Sequence, residues 1–356
     1  MRVASILIVL AFAIPAFAQT SSGGNILWID TQAQFEPGLM PSRFAEALPR
    51  IVAEMDAHGV SQTFLVPPVF PLAHRLPQAA SMFRYDVKQL LAATEKFRSR
   101  FKVLGGGDIL NSIILSTRPD SVSNRDRVRL RQAAEDILAA GAIGLGEVTS
   151  AHYALPTMMA GHSYEATAPD HPLLLLLADV AAEKDVPIDI HFDVVPKDMP
   201  LPDHLQRATG NPRELKENLL GFERFLAHNR KARIIWSHAG SDPGRQRSVV
   251  LMRGLLERHP NLYMSIRMVA AGPLPLTPLD TEGKIRGEWR QMLEDFKGRF
   301  FFQTDRFYRL GEPLMAFGPT DGFNLTRRVL DQLPEDVARA LAFENVQRVY
   351  RLDFRE

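Results

Sequence analysis

Val186-Pro187-Ile188-Asp189-Ile190-His191-Phe192-Asp193 is a short run rich in β-branched residues. Asp185 and Pro187 mark its start, and Val194-Val195-Pro196 turns the chain at its end. Such a run reads as a strand buried on both faces, the kind that parallel sheets use. It nevertheless closes on an imidazole and a carboxylate. Polar groups in that position are costly unless they are paired or bind something. Two later runs repeat the pattern. ARIIWSHAG, 232–240, carries His238 near its end, and RFFFQTD, 299–305, stops on Asp305. Three apolar strands therefore each finish on a residue suited to holding a metal or moving a proton.

Working outward, the same alternation covers most of the chain. Strand one is ILWIDT (26–31), strand two VSQTFLVP (60–67), strand three FKVLGG (101–106) and strand four AIGLGEV (142–148). The opening stretch is strand five, ARIIWSH (232–238) strand six, NLYMSIRM (261–268) strand seven and RFFFQTD strand eight. Helical spacing of apolar residues separates them, at 43–58, 85–98, 125–140, 172–184, 213–229, 247–258 and 288–296. Asp170 reads as the N-cap of the fourth of these, with Pro172 in its first turn. A last long helix opens at Pro334. The segments that follow Gly105-Gly106-Gly107 and Thr149 read as long loops. Eight strand–helix units in one α/β domain predict a (β/α)8 TIM barrel. A doubly wound dinucleotide fold would need a Gly-x-Gly-x-x-Gly after a strand, and there is none.

In a barrel of this kind the chemistry collects at the C-terminal strand ends. Those ends offer Asp30, Gln32 and Gln34 from strand one and Glu147 from strand four. Strand five offers His191 and Asp193, strand six His238, strand seven Arg267 and strand eight Asp305. Glu147 reads either as a metal ligand or as the ion-pair partner of Arg267. Gln32 and Gln34 read as hydrogen bonders to substrate or as inert. Arg267 and Arg306 would hold a substrate carboxylate, or else neutralise Asp193 and Asp305. His152 and His162, in the loop after strand four, read as solvated surface residues.

Composition narrows the function classes. The chain has 356 residues, 46% hydrophobic and 23% charged, ordinary values for a globular enzyme-sized protein. Its 42 Lys and Arg against 41 Asp and Glu give no basic surface for nucleic acid or anionic lipid. It has no Cys, which removes disulfides and thiolate metal sites. Residues 1–18 read as a signal peptide: Arg2, an apolar run over 5–14, and Ala16-Phe17-Ala18 for cleavage. That predicts a mature domain over 19–356, periplasmic or secreted, with no membrane span once the leader is removed.

His191 in IDIHFD, His238 in IIWSHAGSD, Asp305 in FFQTDRF and the closing LPEDVARALAFENVQRVYRL, with Asn345, together resemble the metal-dependent amidohydrolase superfamily. The resemblance is to the amidohydrolase-related group of decarboxylases and lactone hydrolases, and it covers most of the mature chain. That family carries His-x-His after an Asp on strand one, where this chain has Asp30-Thr31-Gln32-Ala33-Gln34. Gln is a poorer zinc ligand than imidazole. The resemblance thus implies one divalent metal, zinc first among candidates, held by Glu147, His191 and His238. Asp305 would be the proton acceptor, and His238 either a ligand or an acid–base group beside the metal. The implied activity is hydrolysis of an ester, lactone or amide of a small molecule, or a related decarboxylation. The competing expectation is a barrel that lost its metal with the strand-one histidines and binds a small molecule or protein partner without chemistry.

Overall fold

The computed structural model describes residues 26–35, 41–67, 85–155, 164–208, 210–268, 276–308 and 322–352. His162 and the leader lie outside them. The eight expected strands are all present: Trp28–Phe35, Val60–Leu65, Phe101–Val103, Leu145–His152, Pro187–Phe192, Arg233–Ala239, Leu262–Arg267 and Phe300–Gln303. Each pairs in parallel with its neighbours, through registers such as Trp28 with Val60, Arg233 with Pro187 and Met264 with Phe300. Strand eight returns to strand one at Asp30 and Phe302.

The third strand is split. Phe101–Val103 pairs with strand two, and the two residues Gly105–Gly106 pair with strand four. The hydrogen-bonded path thus starts and ends on segments of one strand separated by Leu104. This is a curled, parallel-rich α/β sheet. The glycines make the change of partner feasible. A Cβ on Gly105 would run into Val87 and Ile137, and Gly106 takes φ +114°.

The strands are largely apolar because both faces are covered. Phe300, Phe301 and Phe302 are all fully buried. Trp28 meets Phe302 and Phe323 edge-on, at 6.3 and 5.8 Å between ring centroids. Behind strand five, Phe192 stacks on Phe222 of helix Leu219–His228 at 4.3 Å. Each such side chain contributes about 1.5–3 kcal/mol on leaving water.

Several elements differ from the pattern in the sequence. The expected loop after Gly107 contains a helix, Ile109–Ser116. The helix expected over 213–229 begins only at Leu219. Glu214–Leu215 instead pairs antiparallel with Met199–Pro200. Asn218 explains the delay: it accepts from the Val195 amide at 2.7 Å and donates to the Asp193 carbonyl at 3.1 Å, tying this segment to the end of strand five. The cap of helix Pro172–Glu183 is His171, whose Nδ1 accepts from the Leu173 amide at 3.0 Å, while Asp170 pairs with Arg224. The closing helix is interrupted by a π-turn at Ala340–Glu344. Asn345 after it donates to the carbonyls of Lys297 and Phe300 at 2.7 and 2.8 Å. It fastens the closing helix to the start of strand eight, the end of the sheet opposite the polar strand ends.

Candidate metal centre

Glu147, His191 and His238 meet at the C-terminal ends of strands four, five and six. Glu147 Oε1 lies 2.8 Å from His191 Nδ1 and 2.7 Å from His238 Nε2. One donor atom from each of the three lies within 4.8 Å of the others. Glu147 and His238 are buried and His191 nearly so. Glu147 does not pair with Arg267. Its second oxygen accepts from Gln32 Nε2 at 2.6 Å.

Each group is held from behind. His238 Nδ1 lies 2.5 Å from Gln303 Nε2, and Gln303 Oε1 accepts from Ser265 Oγ at 2.7 Å. His191 Nε2 faces Asp193 Oδ2 at 3.5 Å, and Asp193 also accepts from the Tyr153 amide at 3.0 Å. Asn111, in the helix absent from the expected pattern, donates to the Glu147 carbonyl at 3.1 Å and accepts from the Thr149 amide at 2.8 Å. His238 and Asp305 take φ +63° and +50°, the left-handed region that L residues enter at a cost.

Burial would raise the Glu147 carboxyl. The charges of His238 and His191, and their hydrogen bonds, outweigh it and hold the group well below the usual carboxylate range. Burial works against a charged His191, yet Asp193 and Glu147 on either side raise it to about 10. Asp193 is lowered in turn by His191, again against burial. His191 is thus held protonated between the Glu147 and Asp193 carboxylates.

The residues fit a metal. Two imidazole nitrogens converge on one carboxylate oxygen; the far nitrogen of His238 has Gln303 beside it, and that of His191 faces Asp193 at 3.5 Å without a hydrogen bond. A tetrahedral site with bonds of about 2.1 Å spaces its ligand atoms roughly 3.4 Å apart, so the carboxylate–imidazole gaps need widen by well under an ångström.

Asp305 lines the same small cavity, about 90 Å³, as Glu147, His191 and His238. Its carboxylate faces Arg267 at 3.3 Å and Gln34 Nε2 at 3.5 Å. Gln34, Arg267 and His152 also line that cavity. The His152 ring stands 4.6 Å from the His191 ring, which corrects its reading as a surface residue: strand four runs on through it. Arg306 is engaged elsewhere. It pairs with Glu54 at 2.8 Å and lies over the Phe323 ring at 4.4 Å, so it neither neutralises Asp193 or Asp305 nor faces the cavity. The oxygens Gln32 Oε1 and Gln34 Oε1 are buried without a hydrogen-bond partner.

No protein-family model matches the sequence, and no curated protein matches it. Solved structures do. The 5-carboxyvanillate decarboxylase of Novosphingobium aromaticivorans, complexed with manganese and a nitrobenzoic acid, is 14% identical, with a TM-score of 0.51 over 92% of this chain and 96% of that one. The N-acyl-D-glutamate deacylase of Bordetella bronchiseptica, complexed with zinc and a phosphonate inhibitor, is 14% identical, with a TM-score of 0.48 over 91% and 74%. A probable 2-pyrone-4,6-dicarboxylic acid hydrolase of Acinetobacter baumannii, with citric acid bound, is 11% identical, with a TM-score of 0.45 over 92% and 100%. The likeness to the decarboxylase shows a shared fold.

Proposed function

We propose that this chain is an exported metal-dependent hydrolase of the amidohydrolase-related type, built as a single (β/α)8 barrel. The observation that carries the reading is the convergence of Glu147 Oε1, His191 Nδ1 and His238 Nε2 on one point in a cavity shared with Asp305. These three atoms would hold one divalent ion, with zinc the first candidate for a His2Glu set. Such an ion supplies Lewis acidity toward a substrate carbonyl and toward water.

The remaining work falls to the chain's own residues. Asp305 takes the proton from the attacking water and delivers it to the leaving group of an ester, lactone or amide. Arg267 keeps Asp305 in place and has further guanidinium donors for an anionic substrate group. Gln34 beside them offers an amide to the bound molecule. His152, Tyr153 and Phe307 wall the cavity, which limits water around the reacting atoms. The neighbours complexed with manganese, zinc and carboxylate-bearing ligands support a divalent ion and a small acidic substrate.

The test is metal analysis of the purified mature protein, with turnover measured on a panel of esters, lactones and amides. Stoichiometric zinc or manganese and turnover of at least one class are expected. His191→Ala should lose both, and Asp305→Asn should keep the metal and lose turnover. A wild type that takes up no metal from added zinc, with His191→Ala indistinguishable from it, would replace this reading with a non-catalytic binding barrel.

A further inference from the structure

We infer that Arg247 is a positioning residue of the metal centre: its guanidinium clasps the backbone at the ends of the two imidazole-bearing strands and so fixes where His191 and His238 point. The inference rests on the proposed Glu147, His191 and His238 site. Arg247 is 3% exposed. One terminal nitrogen donates to the carbonyls of His238 at 2.6 Å and Ser237 at 3.1 Å, with Ser241 at 3.4 Å. The other donates at 2.9 Å to the carbonyl of Phe192, the residue after His191. The guanidinium also lies over the Trp236 ring, 4.4 Å from its centroid, and Trp236 Nε1 donates at 2.8 Å to the same Phe192 carbonyl.

A single planar fork thus joins strand five to strand six immediately behind both rings. A lysine ammonium would present one point charge and could not span the two strand ends in the same way. The clasp also acts where the backbone is under strain, because the strongest of its bonds is to His238, at φ +63°. A buried cation, here stabilised by carbonyl dipoles and by the Asp242 and Asp193 carboxylates, costs more than an apolar side chain against Trp236 would. Packing alone therefore does not account for an arginine here, whereas holding two ligands in register does.

Cobalt(II) is the probe. The full mature chain, stripped with EDTA, is titrated with cobalt in competition with a chromophoric chelator, and the visible spectrum and thermal unfolding are recorded alongside. Arg247→Lys should weaken cobalt binding about 10–100-fold, the range for lost outer partners of metal ligands, and alter the spectrum. Arg299→Lys is the control. It removes a guanidinium from the His259 and Leu262 carbonyls at the opposite ends of the strands and should keep wild-type cobalt affinity. Should Arg247→Lys not fold, Arg247→Gln is read in the same titration, and failure of both to fold assigns Arg247 to the fold and overturns the inference. Wild-type affinity and spectrum in Arg247→Lys overturn it too, leaving the metal centre standing. A stripped wild type that takes up no cobalt removes the centre itself.

Discussion

Gln303 makes the metal reading testable one layer away from the ligands. In the structure its amide N–H donates to His238 Nδ1, which leaves the ring proton on Nε2, facing Glu147. An ion at Nε2 needs the opposite tautomer, with the proton on Nδ1. The Gln303 amide must then turn to present its oxygen. Ser265, whose hydroxyl now donates to that oxygen at 2.7 Å, can accept from the turned N–H2 instead. Gln303→Leu removes both options and leaves a buried Nδ1–H unpaired in the metal-loaded state. That costs about 1–3 kcal/mol, or roughly 5–150-fold in zinc affinity at about 1.4 kcal/mol per tenfold. Gln303→Glu offers only an acceptor and favours the metal-binding tautomer with a charge-assisted bond, so affinity should rise, by about tenfold, while the metal-free form becomes less stable. Competition titration with a chromophoric zinc chelator measures both. Equal zinc affinity in Gln303→Leu and wild type, with His191→Ala unable to bind, would refute the tautomer argument without touching the site.

Gln32→His with Gln34→His should raise zinc stoichiometry from one toward two, read by metal analysis after dialysis; a value fixed at one would show that the strand-one position is lost beyond its two imidazoles. Asp30 is fully buried and pushed up to about 7 by that burial, against its hydrogen bonds from Thr304. Its contribution to stability is therefore complete below the ordinary carboxyl range near 4 and is lost as pH rises through 7, up to about 4 kcal/mol. Urea unfolding of the EDTA-treated protein should show that decline between pH 4 and 7 in the wild type and a flatter profile in Asp30→Asn; parallel profiles would mean the shift is absent. Expression in a bacterial host with the leader intact should yield a mature N-terminus at Gln19, and N-terminal sequencing that begins at Met1 would rule out cleavage.

The strand ends were legible because a doubly covered parallel strand must be apolar until it leaves the sheet. Polar residues at that point stand out, which is how Glu147, His191, His238 and Asp305 were found. The residues that hold them in place were not legible. Gln303 sits inside an apolar strand, Asn111 in a helix hidden behind three glycines, and Arg247 in a polar turn. Each acts through a hydrogen bond to a residue far along the chain or to a backbone carbonyl, which leaves no periodicity to read. His152 was misjudged because the sequence does not show how far strand four continues. Arg306 was misjudged for a related reason. The left-handed backbone at Asp305 redirects the chain, and Arg306–Tyr308 runs on as a strand paired with strand one, through Ala33 and Arg306. Arg306 thereby faces Glu54 and not the cavity.

The two glutamines of strand one take on a definite electrostatic role. Each spends its N–H2 on a carboxylate, Gln32 on Glu147 and Gln34 on Asp305. The amides cannot be turned round without setting a carbonyl oxygen against a carboxylate oxygen, so these assignments follow from charge. A second divalent ion would have neutralised the same two carboxylates. Here two neutral amides and the Arg267 guanidinium serve instead, and Glu147 keeps a single oxygen for the His191 and His238 side. In the proposed site, a carboxylate tied in this way would serve one ion and would not bridge two. The consequence for ligands is equally direct. The amide oxygens Gln32 Oε1 and Gln34 Oε1 are buried without a hydrogen-bond partner. Such oxygens are costly to leave bare. In the proposed site Gln34, which lines the cavity, would present its oxygen to an N–H or O–H of the substrate and leave an anionic group to Arg267.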